Sequence, residues 1–254
     1  MKNLVIANWK MHFDIQKSVN TALEIAKITK PYQEKVDLVI CPNFLAIPEV
    51  EKVLTNTQIK IGAQNCSWEK QGALTGEVSP EILKKYCEYI ILGHSERRMY
   101  LYETDEIIAK KIDLVTDLGI KPIVCIGETL EEHDRRDISK LFFEINKAFS
   151  LVPKEQAADI IIAYEPIWAI STSRNHSEEK ITCDYAGGIA KKIKDEISKI
   201  YNQEIADKIR IIYGGSVTPE NIEHLHCQPD ITGYLVGGAS LEPEKFEKII
   251  ESIS

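Results

Sequence analysis

Eight short apolar runs recur along the chain, at LVIAN (4–8), VDLVICP (36–42), IKIGAQ (59–64), YIILGHS (89–95), KPIVCIGE (121–128), IIIAYEP (160–166), IRIIYGGS (209–216) and GYLVGGA (233–239). Each has a core rich in Val and Ile without polar alternation. An unbroken run of this kind marks a strand buried on both faces, and such strands belong to parallel sheets. Parallel neighbours need a crossover between them, and every gap is long enough to hold a helix. The gaps carry helical signals of their own. Segment 14–30 sets Ile15, Val19, Leu23 and Ala26 at helical spacing, predicting a helix that packs through that face. Segment 104–118 opens Thr-Asp-Glu, runs through Ile107, Ile108, Ile112 and Val115, and stops at Gly119. SPEIL (79–83) places Ser at the cap and Pro just inside it, and 177–201 keeps the helical period although Gly187-Gly188 weakens its middle. Eight strand-then-helix units in about 250 residues predict an α/β fold, a single closed (β/α)₈ barrel with its active site at the C-terminal strand ends.

Composition narrows this picture. Barrels of this class reach 254 residues as one domain, and no Pro- or Ser-rich linker, low-complexity tract or change of charge character divides the chain, so 1–254 reads as one domain. A core of that size needs no staples. The net charge of −8 and the lack of a basic stripe argue against nucleic acid or an anionic membrane as partner, so an anionic substrate must be held by local groups. The opening MKNLVIANWKM has too short an apolar run for a signal peptide, and no stretch approaches membrane-spanning length. Six widely spaced cysteines without a CxxC pair predict reduced thiols in a cytoplasmic protein. His224, His226 and Cys227 crowd together but match no zinc spacing, and Thr218-Pro219 reads as the cap and first residue of a short helix carrying them. No metal or cofactor is expected.

Candidate chemistry gathers at the strand ends. Glu165 follows the sixth run between Tyr164 and Pro166 and before Ile167-Trp168-Ala169-Ile170. A carboxylate beside so much apolar surface has its charged form disfavoured, which suits a general base for carbon acids; the plainer reading is the start of a solvated loop. His94 ends the fourth run and precedes Ser95-Glu96-Arg97-Arg98, a helix start with Ser95 as cap. There a neutral imidazole can donate to a substrate oxygen, or serve only as a capping or core histidine. Lys10, in ANWKM, fits a surface lysine better than a site residue by position alone; in a site it would supply a fixed cation. Gly214-Gly215-Ser216 and Gly237-Gly238 close the last two runs, where such barrels grip phosphate through backbone N–H groups, or simply turn tightly. Together these groups define proton abstraction next to a carbonyl of a phosphorylated substrate, an aldose–ketose isomerisation needing neither metal nor redox cofactor.

The chain resembles the triosephosphate isomerase family along essentially its whole length, through NWKM (8–11), GAQN…GALTGEVS (62–79), GHSERR (93–98), VCIGET (124–129), AYEPIWAI (163–170), YGGSV (213–217) and LVGGASL (235–241). The resemblance implies a TIM barrel interconverting dihydroxyacetone phosphate and glyceraldehyde 3-phosphate, with places in glycolysis and gluconeogenesis. It implies Glu165 as base, His94 as electrophile, Lys10 as cation and Asn8 as a substrate contact, supported by Glu96 and Cys125. Backbone amides of Ser171, Ser216, Gly237 and Gly238 would hold the phosphate. Gln64, Asn65 and Thr75 would belong to a loop inserted into a partner subunit, implying a homodimer. The chain departs from the family pattern at Ala7 and His12, at HDRRDI (133–138), and at Ser171-Thr172-Ser173-Arg174-Asn175-His176, where the family has a lid with two glycines. These changes bear on substrate identity and rate. They leave two other readings, an isomerase for a related phosphosugar such as a tetrulose phosphate, and a non-catalytic phosphate-binding barrel.

Overall fold

The computed structural model describes residues 2–170, 181–226 and 228–254. Each apolar run contains a strand: β1 Asn3–Asn8, β2 Val36–Cys41, β3 Lys60–Ala63, β4 Tyr89–Leu92, β5 Lys121–Ile126, β6 Ile161–Tyr164, β7 Arg210–Tyr213 and β8 Gly233–Val236. Neighbours pair in parallel, and β8 returns to β1 through Leu4↔Gly233 and Ala7↔Val236, closing an eight-stranded barrel.

The unbroken apolar runs follow from two separate cores. Alternate strand residues, among them Leu4, Ile6, Val39, Ile91, Ile123, Cys125, Ala163, Ile212 and Leu235, fill the barrel interior. The intervening ones, such as Val5, Ile40, Leu92, Val124, Ile162 and Tyr213, pack outward against the helices. Each strand position is therefore removed from water whichever way it points. Carrying the inward row two residues past Ile6, Cys125, Ala163, Ile212 and Leu235 reaches Asn8, Gly127, Glu165, Gly214 and Gly237. The mouth is thus lined by two polar side chains and three residues without any.

The helical ring mostly follows its local signals. Asp14, Ser79, Thr104 and Thr182 each accept a backbone N–H from the first turn of the helix that follows. Four expectations need correction. In Ile15–Ile28 the buried residues are Ser18, Thr21, Ala22 and Ile25, while Ile15 and Leu23 are exposed. Small side chains at 18 and 22 lie on the buried face, where the helix's close neighbours are the helices Ile47–Leu54 and Pro243–Glu251. The helix after β4 spans Ser95–Tyr100, and His94 rather than Ser95 caps it: Nδ1 accepts the Glu96 N–H at 3.2 Å. The short helix expected from Pro219 begins only at Ile222, because Thr218 and Asn221 close a turn first, Asn221 Oδ1 accepting the Thr218 N–H. Finally, Cys41, Cys66, Cys87 and Cys125 are free and buried, but Cys183 is disulfide-bonded. It sits half-buried at the start of an outer helix, whereas the four free thiols are enclosed. Cys227 lies outside the described residues. Among the described residues no helix is long and apolar enough to cross a membrane, and no His/Cys/Asp/Glu cluster has metal-binding geometry.

Candidate active site

The C-terminal mouth holds a cleft of about 290 Å³ lined by Asn8, Lys10, His94, Ser216, Gly237 and Gly238. Six of the sequence-derived site residues, drawn from β1, β4, β7 and β8, therefore meet at one cavity. Ser171 lies outside the described residues, as do Ser173, Arg174, Asn175 and His176.

Lys10 is built into this site by its backbone. Its φ of 51° places it in the left-handed region, unusual for a residue with a Cβ. Asn8 Oδ1 accepts its N–H at 3.1 Å, and its carbonyl accepts the Gln64 side-chain amide at 2.8 Å. Its ammonium group meets Glu96 Oε1 at 2.5 Å, and its Cε approaches the backbone at Gly237. Strain held by surrounding hydrogen bonds is common where function fixes a side chain. A surface lysine has no need of it.

His94 is buried at the cleft wall, and the Glu96 N–H held by Nδ1 leaves the ring proton on Nε2. Nε2 stands 3.3 Å from Glu165 Oε1, off hydrogen-bond alignment. Glu165 itself is 1% exposed and does not line the main cleft. Its Oε2 accepts the Ser95 N–H at 3.0 Å, and its Cγ passes close to Gly214, where an added Cβ would lie 2.9 Å away. The bare Gly214 Cα gives the Glu165 side chain room beside the cleft. Cys125 is enclosed next to Glu165. Burial, and then the adjacent carboxylate, push its thiol well above the ordinary range, so it stays uncharged.

The expected interface residues divide. Thr75 is exposed, whereas Gln64 is tied to the carbonyls of Lys10 and Cys41 and buried Asn65 accepts from Lys111 at 2.8 Å.

Several charged groups beside the site had no role in the sequence reading. Glu128 Oε1 accepts from Tyr164 OH (2.7 Å), Trp168 Nε1 (3.0 Å) and Tyr185 OH (3.0 Å), tying the residues after β6 to the end of β5. His133, one of the departures from the family pattern, stacks on Trp168 with ring centroids 4.0 Å apart. Lys111 is fully buried against Glu103 and Asn65. Arg98 and Glu144 lie behind β4 and β5. Of these, Glu128 and Arg98 stand inside the motifs VCIGET and GHSERR, and His133 opens the divergent segment HDRRDI.

Comparison with known proteins gives a consistent result. The family model for Triosephosphate isomerase matches residues 3–253. A triosephosphate isomerase of Carboxydothermus hydrogenoformans is 45% identical over 253 residues, covering 98% of each chain. Those of Dictyoglomus thermophilum and Dictyoglomus turgidum are 43% and 42% identical, each over 99% of both chains.

Proposed function

The chain belongs to the triosephosphate isomerase family, and from that premise we propose that its barrel mouth interconverts dihydroxyacetone phosphate and D-glyceraldehyde 3-phosphate. The observation that carries the reading is the meeting of a fixed cation, a neutral imidazole N–H and glycine-lined loops at one cleft, with a buried carboxylate beside it. The amides of Ser216, Gly237 and Gly238 take the phosphate, where close backbone approach matters more than side-chain charge. Lys10 and Nε2 of His94 face the substrate oxygens, with Asn8 completing that side. Glu165 leaves the Ser95 N–H, turns past Gly214 into the cleft, and removes a proton from the carbon next to the carbonyl. The bonding pair moves into the carbonyl and gives an enediolate, whose oxygen charge is met by Lys10 and His94. A proton passes from the substrate's hydroxyl oxygen to the former carbonyl oxygen beside His94 Nε2, and protonated Glu165 returns its own proton to the neighbouring carbon, so the carbonyl and the hydroxyl exchange places. Every electron and proton stays within substrate and side chains, so the cycle calls for no metal or redox cofactor. A Glu base working beside a neutral His is the arrangement already established for triosephosphate isomerases, and these residues are read in that light.

The partner in solution is a second copy of the chain. The segments that follow β1, β2, β3 and β4 each expose an apolar side chain: Met11 (91%), Leu45 (79%), Ile82 (55%) and Tyr102 (83%). Asn43 joins the first two by donating to the Phe13 carbonyl at 2.6 Å. Exposed apolar side chains in four consecutive strand-to-helix segments suit a dimer interface that includes Thr75. We read residues 1–254 as one domain, supported by the contact of its ends, Asn3 donating to the Ile253 carbonyl. The four free thiols support a cytoplasmic setting, the Cys183 disulfide weighs against it, and fractionation decides.

The test is turnover of purified protein on glyceraldehyde 3-phosphate, dihydroxyacetone phosphate and a tetrulose phosphate, with molecular mass measured in the same buffer. Preference for the triose phosphates supports the assignment. Preference for the four-carbon substrate transfers it to the related phosphosugar, and no turnover on any of them favours the binding protein.

A further inference from the structure

Helix Ser139–Phe149 packs on the outside of the barrel through Leu141, Ile145, Ala148 and Phe149, yet it also buries Glu144, whose side chain is 2% exposed. Burying a carboxylate costs far more than burying another apolar group, and packing alone would be met by Leu or Met. The contacts of Glu144 lead to the strand ends. Its Oε2 accepts the N–H of Gly127 at 3.1 Å, just past the end of β5. Its Oε1 lies 3.7 Å from Arg98 Nη1.

Both partners touch the proposed catalytic residues from behind. Gly127 lies so close to Glu165 that an added Cβ would fall 1.7 Å from the Glu165 carbonyl oxygen. The Glu165 N–H donates to Ile126 O at 2.8 Å, so residues 126–127 hold the Glu165 backbone from two sides. Arg98 donates to Gly93 O at 2.8 Å, beside His94, and to Cys125 O at 3.3 Å. One crevice is lined by Arg98, Cys125, Gly127, Glu144 and Glu165 together.

We propose that Glu144 is a positioning residue for the isomerisation: it fixes the Gly127 amide on which the backbone of the base rests and anchors Arg98 behind His94. The proposal rests on the reading of Glu165 as the base. The groups facing Glu144 are Arg98 from the helix after β4, Asp105 from the next helix, Lys140 on its own helix at 3.9 Å, and Cys125 and Glu165 across the crevice. Burial raises its carboxyl to about 7 despite Arg98, whose Nη1 is held more tightly by Asp105 at 2.5 Å. Its charge therefore changes in the working pH range, and with it the hold on Gly127 and Arg98.

Glu144→Leu removes both contacts, whereas Glu144→Gln keeps a carbonyl oxygen for the Gly127 N–H. With glyceraldehyde 3-phosphate, Glu144→Leu lowers kcat on the order of tenfold, because the base shifts by a fraction of an ångström. KM stays within about twofold, because the phosphate grip on β7 and β8 is untouched. Glu144→Gln recovers most of kcat, and its kcat–pH profile loses the ionisation near neutrality. Wild-type kcat in Glu144→Leu, or an unchanged pH profile in Glu144→Gln, overturns the proposal; the second measurement stands even if the Leu variant does not fold. Glu165→Gln is assayed beside them. If it turns over like wild type, the reading of the base fails; if it is inactive while the Glu144 variants match wild type, only the positioning role fails.

Discussion

Gly127→Ala probes how tightly the fold holds the base. The added Cβ would lie 1.7 Å from the Glu165 carbonyl oxygen, 2.5 Å from its carbonyl carbon and 3.3 Å from its Cα. Carbon–oxygen contact requires a separation of roughly 3.3 Å or more, so the two backbones must part by about 1.5 Å. No side chain can give way, because the clashing atoms are main chain. The strand end is also pinned by the Glu165 N–H to Ile126 O bond and by the Ile167 N–H to Glu128 O bond at 3.0 Å. If the displacement is shared between the two segments, the base moves by somewhat under 1 Å. A 1 Å misplacement costs on the order of 10² in rate, about 2.7 kcal/mol of barrier. Overpacking of this kind also destabilises the fold by about 1–3 kcal/mol, a fall in Tm of roughly 2–12 °C for a chain of this size. Ser216, Gly237 and Gly238 follow other strands, β7 and β8, so KM changes little. The assay is steady-state conversion of glyceraldehyde 3-phosphate, with calorimetry on the same preparation. Gly188→Ala is the control, since nothing lies within 4 Å of its added Cβ and Ala favours the helix. A Gly127→Ala protein with kcat within about threefold of wild type refutes the argument, because the strand end would then have relaxed without carrying the base along.

Glu165→Asp keeps the fold but withdraws the carboxylate by about 1 Å and lowers kcat on the order of 10²-fold; unchanged turnover removes Glu165 from the mechanism. Lys10→Ala abolishes activity and leaves Tm nearly unchanged or higher, because the ion pair to Glu96 is partly exposed at 17% and 31% and such pairs add little stability. Retained activity with a large fall in Tm would instead make Lys10 structural. For Glu144, a carboxyl raised from 4.5 to about 7 in the folded state favours its protonated form. The stability linked to that proton is fully present below about pH 4.5 and is lost as pH rises through about 7, up to about 3 kcal/mol in all. The Tm of wild type relative to Glu144→Gln therefore falls between pH 5 and 8, and a constant difference across that range contradicts the linkage.

The strands could be read because a barrel imposes the same demand on every one of them. Both faces are buried, so polar residues are excluded throughout, and the run ends where the chain meets the mouth. This is also why the predicted runs extend past the observed strands: GHS, GE, EP and GGS belong to the mouth rather than to the ladder. Most of the proposed site was legible for the same reason, as Asn8, Glu165, Gly214 and Gly237 continue the inward alternation by two residues. Helix faces were harder to read. Segment 14–30 offers Ile15 and Leu23 as an apolar stripe, but the face buried among the neighbouring helices carries the small side chains of Ser18 and Ala22 and leaves those two exposed.

Buried charges on the outer helices left no local mark. Along the sequence Glu144 and Lys111 are indistinguishable from the solvated charges around them, since each stands on a helix with other charged residues. Their burial depends on groups that the fold brings from elsewhere in the chain: the Gly127 N–H past the end of its strand and Arg98 for Glu144, and Asn65 and Glu103 for Lys111. The supporting layer is therefore set by the main-chain geometry of the mouth, which arises only when the eight strands close. This gives the outer ring two kinds of position. At Leu141, Ile145 and Phe149 volume and apolarity are the requirement, and similar apolar side chains can exchange there at modest cost. At Glu144 the requirement is an oxygen at one place, and only Gln comes close to meeting it.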